Sequence, residues 1–189
     1  LYLDIETIPA QEESRSQLQY LFDKKSAKRA SRSKIEVEVS LDSFEKFVLD
    51  TSFDGSFGRI LCIGYAIDNE PAQCLYDESE EVILRKFWEI ALSCDLFIGH
   101  NVMDFDLKFI YQRSVVKGVK PSRDLSFARY RSEPIFDTMK EWVKWDFQRN
   151  TSLEHIALAL GIPTPKNGID GSQVFDFYKQ GRIQDICDY

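Results

Sequence analysis

The chain begins with Leu1-Tyr-Leu-Asp-Ile-Glu6, which predicts both a β-strand and a pair of neighbouring carboxylates. Apolar and polar side chains alternate along it, as they do on the two faces of a β-strand, and Pro9 ends the strand because proline cannot donate to a sheet. The three apolar residues share one face, while Asp4 and Glu6 share the other. Two carboxylates on one strand face can hold a hard cation through oxygen. An exposed strand face has the same pattern, so this pair alone leaves both interpretations open.

Four further strands are predicted downstream by short apolar runs that turn residues bound. They cover Arg59–Ile67, Ala72–Tyr76, Leu96–Gly99 and Pro134–Asp137. The turn sequence Asp68-Asn-Glu-Pro71 separates the first two of these runs, which predicts that they form a hairpin.

Helices are predicted where apolar residues recur every three to four positions. They cover Ser79–Ser93, Asp104–Lys117, Thr151–Leu160 and the stretch from Gly171 onward, with a bend at Gly181. A capping box, in which a threonine hydroxyl and a glutamate carboxylate satisfy free amide groups, is predicted at Thr151-Ser-Leu-Glu154. The polar segment Gln11–Lys34 and the mixed segment Ile35–Asp50 allow no assignment. Strands that alternate with helices indicate an α/β domain with a mixed central sheet.

The composition is that of a globular domain. The chain has 189 residues, of which 43% are hydrophobic and 29% charged, and this length favours a single domain spanning 1–189. The sequence begins with Leu1 inside an apolar stretch, and it stops at Tyr189 without a terminating signal. We therefore expect native sequence on both sides, with the domain truncated at both ends. The longest nearly apolar run, Ile60–Ile67, is far shorter than the ~20 residues of a membrane span.

The charge balance and the cysteines narrow the function classes. With 24 basic and 31 acidic residues the net charge is −7, which makes the chain a poor non-specific binder of nucleic acid unless metal ions neutralise a carboxylate cluster. The four cysteines show no Cys-x-x-Cys spacing, so neither a zinc ribbon nor a redox pair is indicated. Scattered thiols favour a reducing, cytoplasmic location. With only two histidines, a zinc site is not expected.

A second group of polar residues lies in Gly99-His-Asn-Val-Met-Asp-Phe-Asp106. A predicted strand ends at Gly99 and a helix begins near Asp104, so Asp106 falls in the first helical turn, where the helix dipole stabilises a carboxylate. Ligands of α/β sheets gather beyond the carboxyl ends of parallel strands. Asp104 and Asp106 could equally be helix-capping residues.

Together these segments resemble a known family. Asp4-Ile-Glu6-Thr7 is similar to the first motif of the DEDD (DnaQ-like) 3′–5′ exonucleases, and Asn101-Val-Met-Asp-Phe105-Asp106 is similar to the second, Asn-x-x-x-Phe-Asp. The ending at Tyr189 resembles the start of the third motif of the tyrosine branch, Tyr-x-x-x-Asp. Asn167–Val174 and Gly181–Tyr189 further resemble small bacterial proteins related to the exonuclease domain of family B DNA polymerases. The resemblance is weakest over 11–54.

The resemblance implies a ribonuclease H-like fold and an enzyme that hydrolyses phosphodiester bonds at nucleic-acid 3′ ends, releasing nucleoside monophosphates. It also implies two divalent cations, Mg²⁺ or Mn²⁺. In family terms Asp4, Glu6 and Asp106 are three of four metal-binding carboxylates, and Tyr189 aligns with the tyrosine that orients the attacking water. Thr7, Asn101 and Phe105, the remaining motif positions, correspond to residues that contact the substrate or shape the site.

The sequence departs from the family pattern at its end. The aspartate of the third motif would follow Tyr189 beyond the last residue given, so we expect the fourth carboxylate there and do not accept Asp185 in its place. His155 does not match the histidine branch, because Leu160 stands where that motif has aspartate, and His155 is interpreted as structural. His100 is expected to pack beneath the neighbouring loop. We assign Asp137, in Phe-Asp-Thr, no catalytic role.

Two other functions stay open at this point. One is a module of the same fold that binds nucleic-acid ends without cutting them, and the other is a ribonuclease H-like nuclease that cuts internally. The basic residues from Lys24 to Lys34 could contact a phosphate backbone, although a solvated surface or a mobile loop is the more frequent explanation for such a run. The sequence distinguishes neither DNA from RNA nor one oligomeric state from another.

Overall fold

The computed structural model describes residues 1–32, 41–163 and 170–189. A mixed five-stranded sheet forms its centre, with the strand order β3-β2-β1-β4-β5. The strands are β1 (Tyr2–Ile8), β2 (Arg59–Ala66), β3 (Gln73–Tyr76), β4 (Phe97–Gly99) and β5 (Ile135–Asp137). The helices of the described residues are α1 (Arg15–Arg32), α2 (Leu41–Leu49), α3 (Glu80–Ala91), α4 (Asp106–Lys117), α5 (Thr138–Val143), α6 (Leu153–Ala159), α7 (Val174–Lys179) and α8 (Ile183–Asp188), together with the short 3₁₀ helices Glu12–Ser14, Asp50–Phe53 and Gly171–Gln173.

Strand β1 lies in the middle of the sheet. It pairs antiparallel with β2 and parallel with β4, while β2 and β3 form an antiparallel hairpin and β4 and β5 run parallel. The predicted α/β architecture, the mixed sheet and its five strands are therefore confirmed. The first strand continues through Ile8, two residues beyond the predicted segment, and stops directly before Pro9.

One face of the sheet packs against α3 and α4. Leu3 and Ile5 of β1 join a continuous apolar core with Phe87 of α3 and Leu107 of α4. All four are almost completely buried, so the alternation in the opening segment is an alternation between this core and the opposite face.

The opposite face packs against α7 and α8. A β-bulge in β2 contributes to this packing, because Glu6 pairs with Cys62 while Thr7 pairs with Ile60, which leaves Leu61 as an extra residue. Leu61 and Cys62 consequently both join the apolar cluster that includes Ile186 of α8. The C-terminal helices thus cover the sheet on the side of the β1 carboxylates.

The segment that the sequence left unassigned forms α1 and α2. Leu18 and Phe22 of α1 pack against Phe44 of α2, and this buried face explains why a polar segment is helical. The basic residues Lys24, Lys25, Lys28 and Arg29 belong to α1, and all four side chains lie at its exposed surface. The mobile-loop interpretation is wrong over this stretch, because it is helical. Ser33 to Ser40, and with them Lys34, lie outside the described residues.

The predicted capping box is wrong by one residue. The N-cap of α6 is Ser152, whose hydroxyl accepts a hydrogen bond from the backbone N–H of His155 at 3.2 Å. The carbonyl of Thr151 is held by the His100 ring before the helix begins. The helix also buries less than its periodicity predicts, because Ile156 is buried while Leu160 is largely exposed.

The C-terminal segment is helical, as predicted, and breaks where a bend was expected. Gly181, with a φ of 71°, separates α7 from α8, and glycine adopts this left-handed conformation without steric strain. Asn167 to Ile169, which belong to a stretch of family resemblance, lie outside the described residues. Within the described chain, no helix combines the length and the apolar character needed to cross a bilayer.

Candidate active site

Asp4 and Glu6 lie on the same face of β1, on the side that α7 and α8 cover. In the β1–β2 register Asp4 pairs with Gly64 and Glu6 pairs with Cys62. Because Gly64 has no side chain, the surface opposite Asp4 stays open, and the Asp4 side chain reaches solvent. The central strand of the sheet therefore carries two neighbouring carboxylates to a partly open surface.

Asp106 reaches the same place from the first turn of α4. The parallel pairing of β1 with β4 is confined to Tyr2 and Ile98, so the edge of β1 beyond it is available to other partners. There the Asp106 carboxylate accepts a hydrogen bond from the backbone N–H of Ile5 at 3.0 Å, and its side chain is only 2% exposed. A hydrogen bond also joins the Asp106 and Asp4 carboxyl groups. Two acidic residues about a hundred positions apart are thus in direct contact.

The three carboxyl groups are difficult to ionise together. Burial and the neighbouring Asp4 charge raise the pKa of Asp106 well above its ordinary value. Burial, and then the Asp4 charge, raise the pKa of Glu6 to about 8. Partial desolvation also raises the pKa of Asp4, against the effect of its hydrogen bonds and of the nearby His100 ring. Since Asp4 reaches solvent and Asp106 does not, the protonated form is favoured more strongly at Asp106.

Among the described residues, no lysine or arginine forms an ion pair with Asp4, Glu6 or Asp106. Oxygen donors with uncompensated negative charge suit a hard divalent cation such as Mg²⁺ or Mn²⁺. The ligand oxygens of these three carboxylates do not, however, all lie within 4.8 Å of one another. In the described chain, the only set of three or more potential metal ligands that meets this distance consists of cysteines. Ligands shared between two ions about 3.5–4 Å apart need not be that close, so the donor set fits a pair of cations.

Asp137 holds the loop that leads to Asp106. Its carboxylate caps α5 by accepting from the backbone N–H groups of Met139 and Lys140, and it also accepts from those of Asn101 and Met103 at 3.0 Å each. Asp137 was assigned no catalytic role from the sequence, and its four backbone hydrogen bonds give it a positioning role. An aspartate between a predicted strand and a helix is a pattern typical of an N-cap, and this could have indicated it.

The histidines occupy different environments. One nitrogen of the His100 ring contacts the Thr138 hydroxyl at 3.0 Å, and the other donates to the Thr151 carbonyl at 2.8 Å. His100 therefore packs beneath the loop, as expected, and joins it to α5 and to the start of α6. His155 is exposed on α6.

The other motif residues make contacts of their own. The hydroxyl of Thr7 donates to the Ser52 carbonyl at 2.7 Å. Asn101 adopts a left-handed backbone with a φ of 61°, which turns the chain after β4, and the Phe105 ring lies beside those of Phe53 and Phe109. Tyr189 follows α8 and is partly exposed. The roles that the family resemblance assigns to these residues stay predictions.

A cleft of about 750 Å³ opens next to Asn101. Aromatic side chains and basic side chains share its lining, and these are Tyr111, Phe127, Tyr130, Trp145 and Phe147 together with Lys108, Arg129 and Lys140. Tyr130 and Trp145 pack with their ring centroids 5.5 Å apart, although both have a left-handed backbone that is rare outside glycine. No local sequence pattern indicates this cleft, because its residues are contributed by α4, α5 and the long connections around β5.

A model of a protein family described as predicted 3′–5′ exonucleases related to the exonuclease domain of PolB matches residues 72–189. The chain belongs to this family. The matched residues make up more than half of the chain and include Asp106, Asp137 and the whole cleft, whereas Asp4 and Glu6 precede them. No curated protein shows a significant match to the sequence.

Membership in this exonuclease-related family agrees with the architecture. A mixed five-stranded sheet with helices on both faces is the ribonuclease H-like arrangement that the resemblance implied. The carboxylates lie where the carboxyl end of β4 leads into α4, and in α/β sheets ligands bind at this end of the parallel strands. Fold, family and carboxylates therefore indicate the same region of the molecule.

Proposed function

We propose that the chain is a metal-dependent 3′–5′ exonuclease, which hydrolyses phosphodiester bonds at nucleic-acid 3′ ends and releases nucleoside monophosphates. One observation carries the proposal: Asp4 and Asp106 form a contacting carboxyl pair beside Glu6, and the fold supplies no basic partner for them in the described residues. Family membership supports the same activity, because the family is one of predicted 3′–5′ exonucleases.

In this proposal Asp4, Glu6 and Asp106 hold two cations, Mg²⁺ or Mn²⁺. When bound, such ions make water a nucleophile near neutral pH and stabilise the charge that develops on the departing 3′-oxygen. The carboxyl groups must ionise as cations bind, so cation affinity should rise with pH. Tyr189 would orient the attacking water, and Thr7 and Asn101 would contact the terminal nucleotide.

The cleft next to Asn101 is the proposed path of the nucleic-acid strand. Bases stack on exposed aromatic side chains, and Tyr130 is 75% and Phe147 86% exposed. Lys108 and Arg129 form no ion pair within the described chain and are therefore available to phosphate groups. A protein with a net charge of −7 needs such local positive charge to bind a polyanion.

The test is degradation of 5′-labelled single-stranded DNA and RNA by the full-length protein with Mg²⁺ or Mn²⁺. We expect a ladder of products shortened from the 3′ end, and we expect Asp4→Asn and Asp106→Asn to lower the rate by at least about 100-fold, since metal-assisted charge stabilisation contributes several kcal/mol. Asp95→Asn is the matched control, because Asp95 is a fully exposed residue away from the site.

Three results would distinguish the alternatives. Trimming that survives in both Asp4→Asn and Asp106→Asn would refute the assignment of these residues. An oligonucleotide that binds but is not shortened with either metal would favour a module that recognises nucleic-acid ends. Cleavage of a circular substrate would favour an internal nuclease, because an exonuclease needs a free end.

A further inference from the structure

Three of the four cysteines converge at one point of the fold. Cys62 of β2, Cys74 of β3 and Cys187 of α8 have sulfur atoms that all lie within 4.8 Å of one another. All three are free thiols, and among the described residues no other set of histidine, cysteine or acidic side chains is as compact. This thiol cluster is distinct from the three carboxylates.

The sheet register and the packing of α8 bring the cysteines together. Gly64 pairs with Cys74, and Cys62 lies two residues from Gly64, so the two cysteine side chains are diagonal neighbours on one face of the hairpin. Cys62 is only 2% exposed, and it packs in the same cluster as Ile186, the residue that precedes Cys187. Each thiol is therefore fixed by regular secondary structure.

The chemistry of three adjacent thiols favours a cation that prefers sulfur. In a tetrahedral zinc site the Zn–S bonds are about 2.3 Å, which places the sulfur atoms about 3.8 Å apart, and thiols already within 4.8 Å reach this arrangement by small side-chain rotations. A disulfide would use two of the thiols and leave the third, whereas a metal ion uses all three. Asp188 directly follows Cys187, and its negative charge favours a bound cation.

We propose that Cys62, Cys74 and Cys187 form a binding site for a thiolate-preferring divalent cation of the Zn²⁺ class, with a fourth position open to water. This site does not depend on the proposed nuclease activity. The cation would join α8 to the β2–β3 hairpin at three points, next to the strand that carries Glu6. Since Tyr189 directly follows α8, the same cation would fix the helix that leads to this residue.

The experiment titrates the reduced, metal-free, full-length protein with Co²⁺ and then with Zn²⁺. We expect one Co²⁺ ion per chain that gives an intense sulfur-to-cobalt charge-transfer band, and we expect Zn²⁺ to displace it. Cys187→Ser and Cys74→Ser should each weaken Zn²⁺ binding by at least about 100-fold, because each removes a direct ligand. Cys94→Ser should bind like the wild type, since Cys94 packs in the core on the other face. Asp4→Asn should keep the band, which separates this site from the carboxylates.

A second measurement uses only the wild-type protein, so its result does not depend on whether the cysteine variants fold. Bound Zn²⁺ should slow alkylation of Cys62, Cys74 and Cys187 in the wild type by at least about tenfold, and leave Cys94 unchanged, because metal-bound thiolates are shielded from electrophiles. The proposal is overturned if the charge-transfer band is missing, or if Cys187→Ser and Cys74→Ser retain it. It is also overturned if the reduced protein takes up no Zn²⁺ while two thiols of the cluster pair on mild oxidation, which would make the cluster a redox pair.

Discussion

At the scale of single residues, the ionisation of Glu6 should make the stability of the fold depend on pH. Burial and the neighbouring Asp4 raise the pKa of Glu6 to about 8 from an ordinary value of 4.5, so the folded protein holds a proton that the unfolded chain has lost over this pH range. A state that binds more protons is favoured at lower pH. In the absence of metal ions, the free energy of unfolding should therefore fall as the pH rises from about 5 to 8.

Substitution of Glu6 by glutamine tests this. The amide cannot ionise, so at pH 8 and in the presence of a chelator Glu6→Gln should be more stable than the wild type by at least about 1 kcal/mol, whereas at pH 5 the two should be similar. Urea unfolding at the two pH values measures the difference. Glu13→Gln, at an exposed position, is the control and should change stability equally at both pH values. A wild-type stability that stays constant from pH 5 to 8 contradicts the argument.

At the scale of secondary-structure elements, Asp137 joins the end of β5 to the loop before α4. Four backbone N–H groups share its buried carboxylate. In Asp137→Ala the cap of α5 is lost and the N–H groups of Asn101 and Met103 lose their acceptor, so we expect a loss of about 2–4 kcal/mol in the free energy of unfolding.

A matched control exists for this substitution. Asp146 also accepts a backbone hydrogen bond, from Gln148, but it is exposed, and water can replace it. Asp146→Ala should therefore change stability by less than about 1 kcal/mol. Equal effects of the two substitutions, measured by chemical denaturation, would show that burial of the Asp137 network is not what stabilises the loop.

The elements also show what the sequence could and could not predict. Alternation and turn residues predicted all five strands, because each of these patterns is local. The contact of Asp4 with Asp106 could be predicted only from the family resemblance. It depends on where the pairing of β1 with β4 ends, and no local sequence pattern shows this. The thiol cluster was missed, because its convergence depends on the register of the hairpin and on the docking of α8. The start of α6 was misplaced by one residue, since threonine and serine are both good caps and only the contact of Thr151 with His100 decides between them.

At the scale of the whole molecule, a buried ion pair connects helices α3 and α4 to the sheet that they cover. The guanidinium of Arg113 in α4 donates twice to the carboxylate of Glu80 in α3, at 2.8 and 2.7 Å, and Glu80 also accepts from the N–H of Ile60 in β2. Arg113 further donates to the carbonyl of Gly55. Two helices, a strand and a loop thus depend on one carboxylate.

The neighbouring Glu81 provides the comparison. It pairs with Arg85 on the exposed surface of α3, where water replaces a lost partner. Glu80→Ala leaves a buried guanidinium without its counter-charge and should lower the free energy of unfolding by about 3–5 kcal/mol, whereas Glu81→Ala should lower it by less than about 1 kcal/mol. Urea denaturation of both variants measures the contrast, and a similar small effect of both would contradict the role given to the network.

The net charge of the molecule sets the last prediction, which rests on the proposed function. A chain of charge −7 repels nucleic acid at long range, so binding has to depend on a few basic side chains in the cleft. The affinity for nucleic acid should therefore fall as salt screens these side chains. Lys108→Glu places a negative charge in the cleft and should raise the KM for oligonucleotides by at least about tenfold. It should also reduce the slope of log affinity against log salt by about one, the value for one lost phosphate contact. Lys86→Glu, on the exposed surface of α3, changes the net charge equally and is the control. If both variants raise KM alike, the overall charge and not the cleft governs binding; if only Lys108→Glu does, the strand passes through the cleft.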